Sequence, residues 1–448
     1  MNLNPTLRMN ALNLLLVTVL IFVTGCWIVT ESKQIDNRPP ATLTVLGGKA
    51  TTLNTNDFAQ FRKQIMPLID EMARKKIVSL GEGTHGTSEF YKVRYWITKI
   101  LVEEKGFNQV AFENDYADSY LLDQALKQGQ TDYDALMKQH LIAIWRNQEV
   151  KQLLQWMQTH NKTHKRPVSF GGLDVMFTTS DAQVIQQLTT SLKKDRLNQL
   201  TTSLLRLAII RDSIWTNSNR KDFVMADSVS NANIIQTYKL VENIQEMLKD
   251  LSLSAEKRRI VDNMIKNIEL QFEGPYKWVT AKKSGGNRDS AMAVMATRIV
   301  HKPTDKLIIW AHDAHVSRMP VYENSVGGTG GFIERMLPNQ YFVLGTGTAY
   351  GTFAATDDRF ITHASLMKSV KLETPADSLW ETKLAAVNTP ALFINFREWN
   401  GIDTNLASRL VGYDPHSGKG TYDKSHPITE MYDAYLFIRD TQAAQFIP

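Results

Sequence analysis

Cysteine is nearly absent. Cys26 is the only one in 448 residues, so the chain needs no disulfide, and beyond residue 26 it offers no thiol nucleophile. No GxSxG stretch occurs, which removes the usual serine nucleophile elbow as well. Neither an HExxH zinc motif nor a Walker phosphate loop is present. Basic residues form no dense block and no strip interleaved with aromatics, and the formal net charge is only +5, so a nucleic-acid partner has no support. An apolar content of 43% and a charged content of 22% set aside disordered and fibrous classes.

The N-terminus has its own character. Arg8 precedes ALNLLLVTVLIFVTGC, which has the length and flank of a secretory signal. Val23-Thr24-Gly25-Cys26 resembles the bacterial lipobox. The expectation is a signal peptide over 1–25, lipidation at Cys26, a polar tether over 26–55, and an exported, membrane-anchored lipoprotein facing the periplasm. An uncleaved anchor is the alternative, because apolar residues continue through Trp27, Ile28 and Val29.

From Asp57 onward, helical periodicity alternates with short apolar runs. KKIVSL, FNQVAFEN, PVSFGGLD, KLIIWAHDAH, YFVLGTGT, PALFINF and AYLFIRD read as strands, and helices follow from Phe58, Ser88 and Ala117. This predicts an α/β fold with a mostly parallel central sheet flanked by helices. Residues 179–300 break the alternation: they have helical spacing, almost no proline and no convincing strand. They are read as a helical insertion covering the C-terminal ends of the strands, dividing an α/β hydrolytic domain into 56–178 and 301–448. The glycine cluster VGGTGG at 326–331 is read as a flexible loop at the cleft.

Polar residues follow three of these strands. Glu82-Gly83-Thr84-His85-Gly86 comes after the first, where glycines allow a tight turn that brings both side chains to a helix N-terminus. Glu113-Asn114-Asp115 follows the second, and His312-Asp313-Ala314-His315 the fourth. Open α/β sheets place their sites at such strand ends. Arg94, nine residues after His85, can reach back as an orienting or oxyanion-binding cation. Arg288 opens a helix, where a cation opposes the helix dipole, and that placement favours a task at the site.

Taken together, Gly81 to Gly86, Phe112-Glu113, Asn287-Arg288-Asp289 and Ala311 to His315 resemble the erythromycin esterase family. The resemblance spans roughly residues 60–440 and includes the helical insertion. It implies a carboxylic ester hydrolase that opens a macrolide or another lactone or ester with histidine-activated water, forms no covalent serine intermediate, and needs no cofactor or metal. Carried over, it makes His85 the general base and Glu82 its positioning neighbour. Glu113 would tune the histidines, Arg94 and Arg288 would be site cations, and His312 and His315 would complete the polar rim. Asp313, where many relatives carry asparagine, would add a negative charge near two imidazoles. Two alternatives stay open: a metal-dependent hydrolase using His312, His315 and either Glu113 or His85, and a non-enzymatic metal- or ligand-binding lipoprotein.

Overall fold

The computed structural model describes residues 41–218, 223–321, 326–358, 367–401, 406–416, 422–423 and 426–447. The expected signal peptide, Cys26 and the first part of the tether lie outside the described residues. Ten strands form the main sheet: β1 Thr42–Val45, β2 Gly48–Thr52, β3 Ile77–Leu80, β4 Gln109–Asp115, β5 Ser169–Asp174, β6 Leu307–Trp310, β7 Tyr341–Ala355, β8 Lys368–Lys371, β9 Ala391–Asn395 and β10 Ala434–Thr441. Their order is β1-β2-β9-β10-β7-β3-β6-β4-β5, with β8 on the outer half of β7. The run from β10 through β5 is parallel, and the β1, β2, β9 edge is antiparallel. The sheet is therefore mixed, with a parallel centre.

The central strands are apolar throughout because both faces are covered. Val78, Ile308, Trp310, Phe342 and Leu344 pack with the helices Phe58–Met72, Ser88–Lys105 and Gln148–Thr163. Ile77, Leu307, Ile309 and Val343 face the other way, against Met292, Ala293, Ala296 and Ile333. Each of the Val, Leu, Ile, Phe and Met side chains among them, fully removed from water, contributes about 1.5–3 kcal/mol. The central sheet is thus a rigid platform under the turns that leave it.

Within residues 179–300 the described regular elements are all helical, with the α-helices Thr179–Thr189, Asp195–Asn217, Asp227–Lys249, Ala255–Ala281 and Arg288–Ile299. They bury their own apolar cluster, including Ile185, Leu204, Ile244, Ile265 and Ile268. Asn267 Nδ2 donates to the Asp174 carbonyl at 3.2 Å, and Gln271 Nε2 to the Met176 carbonyl at 2.7 Å. These bonds seat the insertion on the C-terminal end of β5.

Two expectations need correction. Residues 42–52, assigned to the tether, form a hairpin whose β2 pairs with β9, Thr51 opposite Phe393. Leu46 and Gly47 both adopt positive φ at its turn, the geometry a two-residue hairpin needs, and Val45 and Ala50 are buried. The VGGTGG cluster is not a loosely held loop. Val326–Gly327 pairs with Pro320–Val321, and Gly328 leads into the helix Thr329–Met336. A side chain at Gly330 or Gly331 would strike the carbonyls of Val316 or Arg318, so these glycines serve close packing.

Gly86 occupies the left-handed region with φ of +73°, and a Cβ there would collide with the Ala354 carbonyl. Gly129 has φ of +86° but nothing within 4 Å of a Cβ. Gly86→Ala should therefore destabilise by about 2–4 kcal/mol, and Gly129→Ala by about 1 kcal/mol. Urea unfolding of both variants checks the difference.

Candidate functional site

Strand register explains why distant residues meet. Leu80 pairs with both Trp310 and Leu344, and Phe112 pairs with Trp310. The last residues of β3 and β6 therefore lie level with Phe112 in the second half of β4. Glu82, Glu113 and His312 follow within one or two residues of those positions. The Glu82–Gly86 turn is also fixed from outside: His85 N–H donates to the Val411 carbonyl at 3.1 Å, and Val411 N–H to Gly83 at 2.8 Å.

His85 Nδ1 lies 2.5 Å from Glu82 Oε1. The carboxylate can only accept, so Nδ1 carries the proton and the Nε2 lone pair is free. No hydrogen bond to another described residue engages Nε2, and His85 retains 5% exposure. Arg94 Nη2 donates to the other Glu82 oxygen at 2.6 Å. Arg94 itself is fully buried, with its guanidinium carbon 4.6 Å from the Trp310 ring centre and 4.9 Å from that of Tyr91. Its guanidinium is thus set against the Glu82 oxygen that His85 does not use.

A second group surrounds Glu113. Its Oε2 accepts from His312 N–H at 2.9 Å, and its Oε1 accepts from Arg288 Nη2 at 2.7 Å. Burial pushes the Glu113 carboxyl up, but the charges of His315, Arg288 and His85 outweigh it and hold the group well below the usual carboxylate range. Arg288 is also gripped by Asp174 through Nε at 3.0 Å and through Nη2. Its side chain remains 30% exposed, so this cation can be reached from solvent. The adverse dipole at the start of its helix is offset by two carboxylates.

His315 stands between these groups. Its Nδ1 is 2.7 Å from Asp289 Oδ1, and its Nε2 is 2.9 Å from Arg288 Nη1. Arginine only donates, so this geometry is the neutral ring with the proton on Nδ1. Burial opposes charging the ring, and Arg288 does too, but Glu113 and Asp289 prevail and raise its pKa above the ordinary 6.5. When protonated, Nε2–H has Glu113 Oε1 at 3.4 Å as a partner.

His312 behaves differently from the rim residue anticipated. Its Nδ1 accepts from Ala314 N–H at 3.2 Å as a helix cap, and its Nε2 donates to the Val411 carbonyl at 3.1 Å. Both nitrogens are used. Burial and the neighbouring His85 hold its pKa well below 6.5, so the ring is neutral and packs 4.6 Å from His85 between centroids. Asp313 also departs from expectation. Its Oδ2 accepts from Thr346 N–H at 2.8 Å, away from the imidazoles, and burial pushes its pKa well above the usual range.

The expected residues thus come together, in two wired sets. Asp174 and Asp289 were missed as site residues, although Asp174 ends a predicted strand and Asp289 adjoins Arg288. Asp289 also accepts from Gly327 N–H at 3.0 Å and Thr329 Oγ1 at 2.8 Å, which ties the glycine cluster to His315. For the rival metal reading, His312 has no nitrogen to give. Among the described residues no group of three or more His, Cys, Asp or Glu could hold a metal ion.

The site thus holds a carboxylate-bound imidazole and a partly exposed guanidinium at the ends of parallel strands. The family model of erythromycin esterase matches residues 102–441. The chain belongs to the erythromycin esterase family and is an erythromycin esterase-like hydrolase. The YbfO protein of Bacillus subtilis (strain 168) is 22% identical over 390 residues, covering 81% of this chain and 83% of that protein. Erythromycin esterase type II of Escherichia coli is 28% identical over 123 residues, 27% of each chain. A solved structure of a mutant of the erythromycin esterase EreC, in its open conformation, superposes with a TM-score of 0.65 at 15% identity, covering 88% of this chain and 96% of that one. At that identity the likeness speaks for the fold.

Glu113 ties Arg288 and His315 together, so Glu113→Gln should destabilise the protein at neutral pH by about 1–3 kcal/mol, after discounting for the partial exposure of Arg288. The depressed folded pKa gives stability that is present above the unfolded value of about 4.3 and is lost as pH falls toward the folded value. The gap between wild type and Glu113→Gln should accordingly narrow in acid. Urea unfolding at a series of pH values measures it.

Proposed function

We propose that this protein hydrolyses a carboxylic ester or lactone, a macrolide among the candidate substrates, with water activated directly by His85. The observation that carries the reading is the Arg94–Glu82–His85 chain, which fixes the imidazole tautomer and leaves Nε2 free. Nε2 takes a proton from water as the oxygen attacks the carbonyl carbon. Arg288, the partly exposed cation, receives the developing oxyanion. Protonated His315 donates to the departing alkoxide, and the acid and alcohol leave with one water added. The doubly occupied His312 supports a metal-independent route. In the same reading Cys26 carries the lipid that holds the body at a membrane facing the periplasm.

Incubation with macrolides and simpler lactones, followed by mass spectrometry, should reveal a product heavier by one water. His85→Ala should lower turnover by about a hundredfold or more with unchanged circular dichroism, and normal turnover in that folded variant would overturn the assignment. A His315 acid predicts loss of kcat/KM as pH rises through its pKa. Asp289→Asn removes a group that raises that pKa, so the alkaline limb should move to lower pH; an unmoved limb removes His315 as the acid.

For the anchor, intact-mass analysis of the membrane-bound protein should find residues 1–25 removed and Cys26 acylated. Cys26→Ser should release the protein with the activity of its body intact. Residues 1–25 still attached would favour the uncleaved anchor.

A further inference from the structure

A cavity of about 400 Å³ lies between the insertion helix Ala255–Ala281 and the first halves of β4 and β5. It opens at the far end of the strands from the site. Gln109 and Ser169, which begin β4 and β5, line it, whereas Glu113 and Asp174 stand near the other ends. The four-residue rise from Gln109 to Glu113 separates the two places by about 13 Å.

The charges in its wall do not cancel. Asp123 accepts from Lys127 Nζ at 2.6 Å and from Phe170 N–H at 2.9 Å. Asp305 accepts from Lys302 N–H at 2.9 Å and from Asn108 Nδ2 at 3.2 Å. Both buried carboxylates are thereby satisfied, and the remaining acid, Glu256, is exposed at the rim. The guanidinium of Arg259, half-buried in the wall, makes no hydrogen bond or ion pair with another described residue. Tyr116, Tyr120 and Ile260 supply aromatic and aliphatic surface beside it. At Gly171 a Cβ would meet nothing closer than 3.8 Å, so the missing side chain adds to the open space.

We propose that this cavity is a second, non-catalytic ligand site for a small organic anion with an aromatic or apolar body, its anionic group on Arg259 and its body between the tyrosines. The site is coupled to the catalytic end by one helix. Ile299 lines the cavity at the C-terminus of Arg288–Ile299, and Arg288 enters the catalytic group at its N-terminus. Eleven steps of about 1.5 Å make this a rod roughly 16 Å long. A ligand packed on Ile299 restrains the element that delivers Arg288.

Benzoate is the probe, titrated calorimetrically into the intact chain. One saturable site is expected. Arg259→Ala, which removes no partner from the folded protein, should weaken it by about tenfold or more, the scale of a charge-assisted bond. Gly171→Leu should fill the space and block binding, while His85→Ala should bind as wild type does. Absence of saturable binding, or equal affinity in wild type and Arg259→Ala, would overturn the site. With benzoate bound, amide hydrogen exchange across 288–299 should slow; unchanged exchange would overturn the coupling.

Discussion

Glu113 is the charge on which the site depends. A carboxylate removed from water at a strand end is costly unless every lone pair is engaged and a cation stands near. Here the two oxygens take a backbone N–H from the turn after β6 and a guanidinium from the helical insertion. One buried anion thereby joins three separate parts of the chain: β4, the turn after β6, and the helix beginning at Arg288. The price of burying it is offset only when all three are in place, so assembly of the site and completion of the fold are the same event.

The two sides of the site divide their labour through wiring. Glu82 gives one oxygen to His85 and the other to Arg94, and Arg94 is fully buried. Around Glu113 the balance is reversed, because Arg288 keeps part of its surface exposed and His315 can pass between two hydrogen-bonding states. Similar imidazoles therefore acquire different surroundings. His312, capped at both nitrogens, becomes the fixed wall between them. Its bond to the Val411 carbonyl, which also accepts from His85 N–H, couples the position of both rings to one peptide group.

Much of the fold was legible because buried parallel strands are written as short apolar runs. IVSL and LIIW carry that signal plainly, and the polar residues that follow them disclosed the candidate site. What escaped notice depended on local backbone geometry or on partners remote in sequence. TLTVLGGKATT was passed over because its strands are short, threonine-rich and half exposed, and only the Leu46-Gly47 turn marks the hairpin. Gly330 and Gly331 suggested looseness, whereas the contact that requires them comes from the Val316 and Arg318 carbonyls. Asp174 looked like the end of a strand, since its partner Arg288 is 114 positions away. The alternative roles of Arg94 could not be separated by spacing, because nine residues along a helix do not say whether a guanidinium lies before or behind a carboxylate.

The insertion does more than cover the sheet. Without Arg288 the C-terminal ends of β4 and β5 would hold Glu113 and Asp174 close together with no cation between them, and their repulsion would favour protonation of one carboxyl. Arg288 instead keeps Glu113 ionised, and an ionised Glu113 in turn raises the basicity of His315. Contact from the helical layer thus sets the proton affinity of a histidine on the sheet layer. That coupling follows from charge and distance alone, and it makes the geometry of the insertion part of the chemistry at the strand ends.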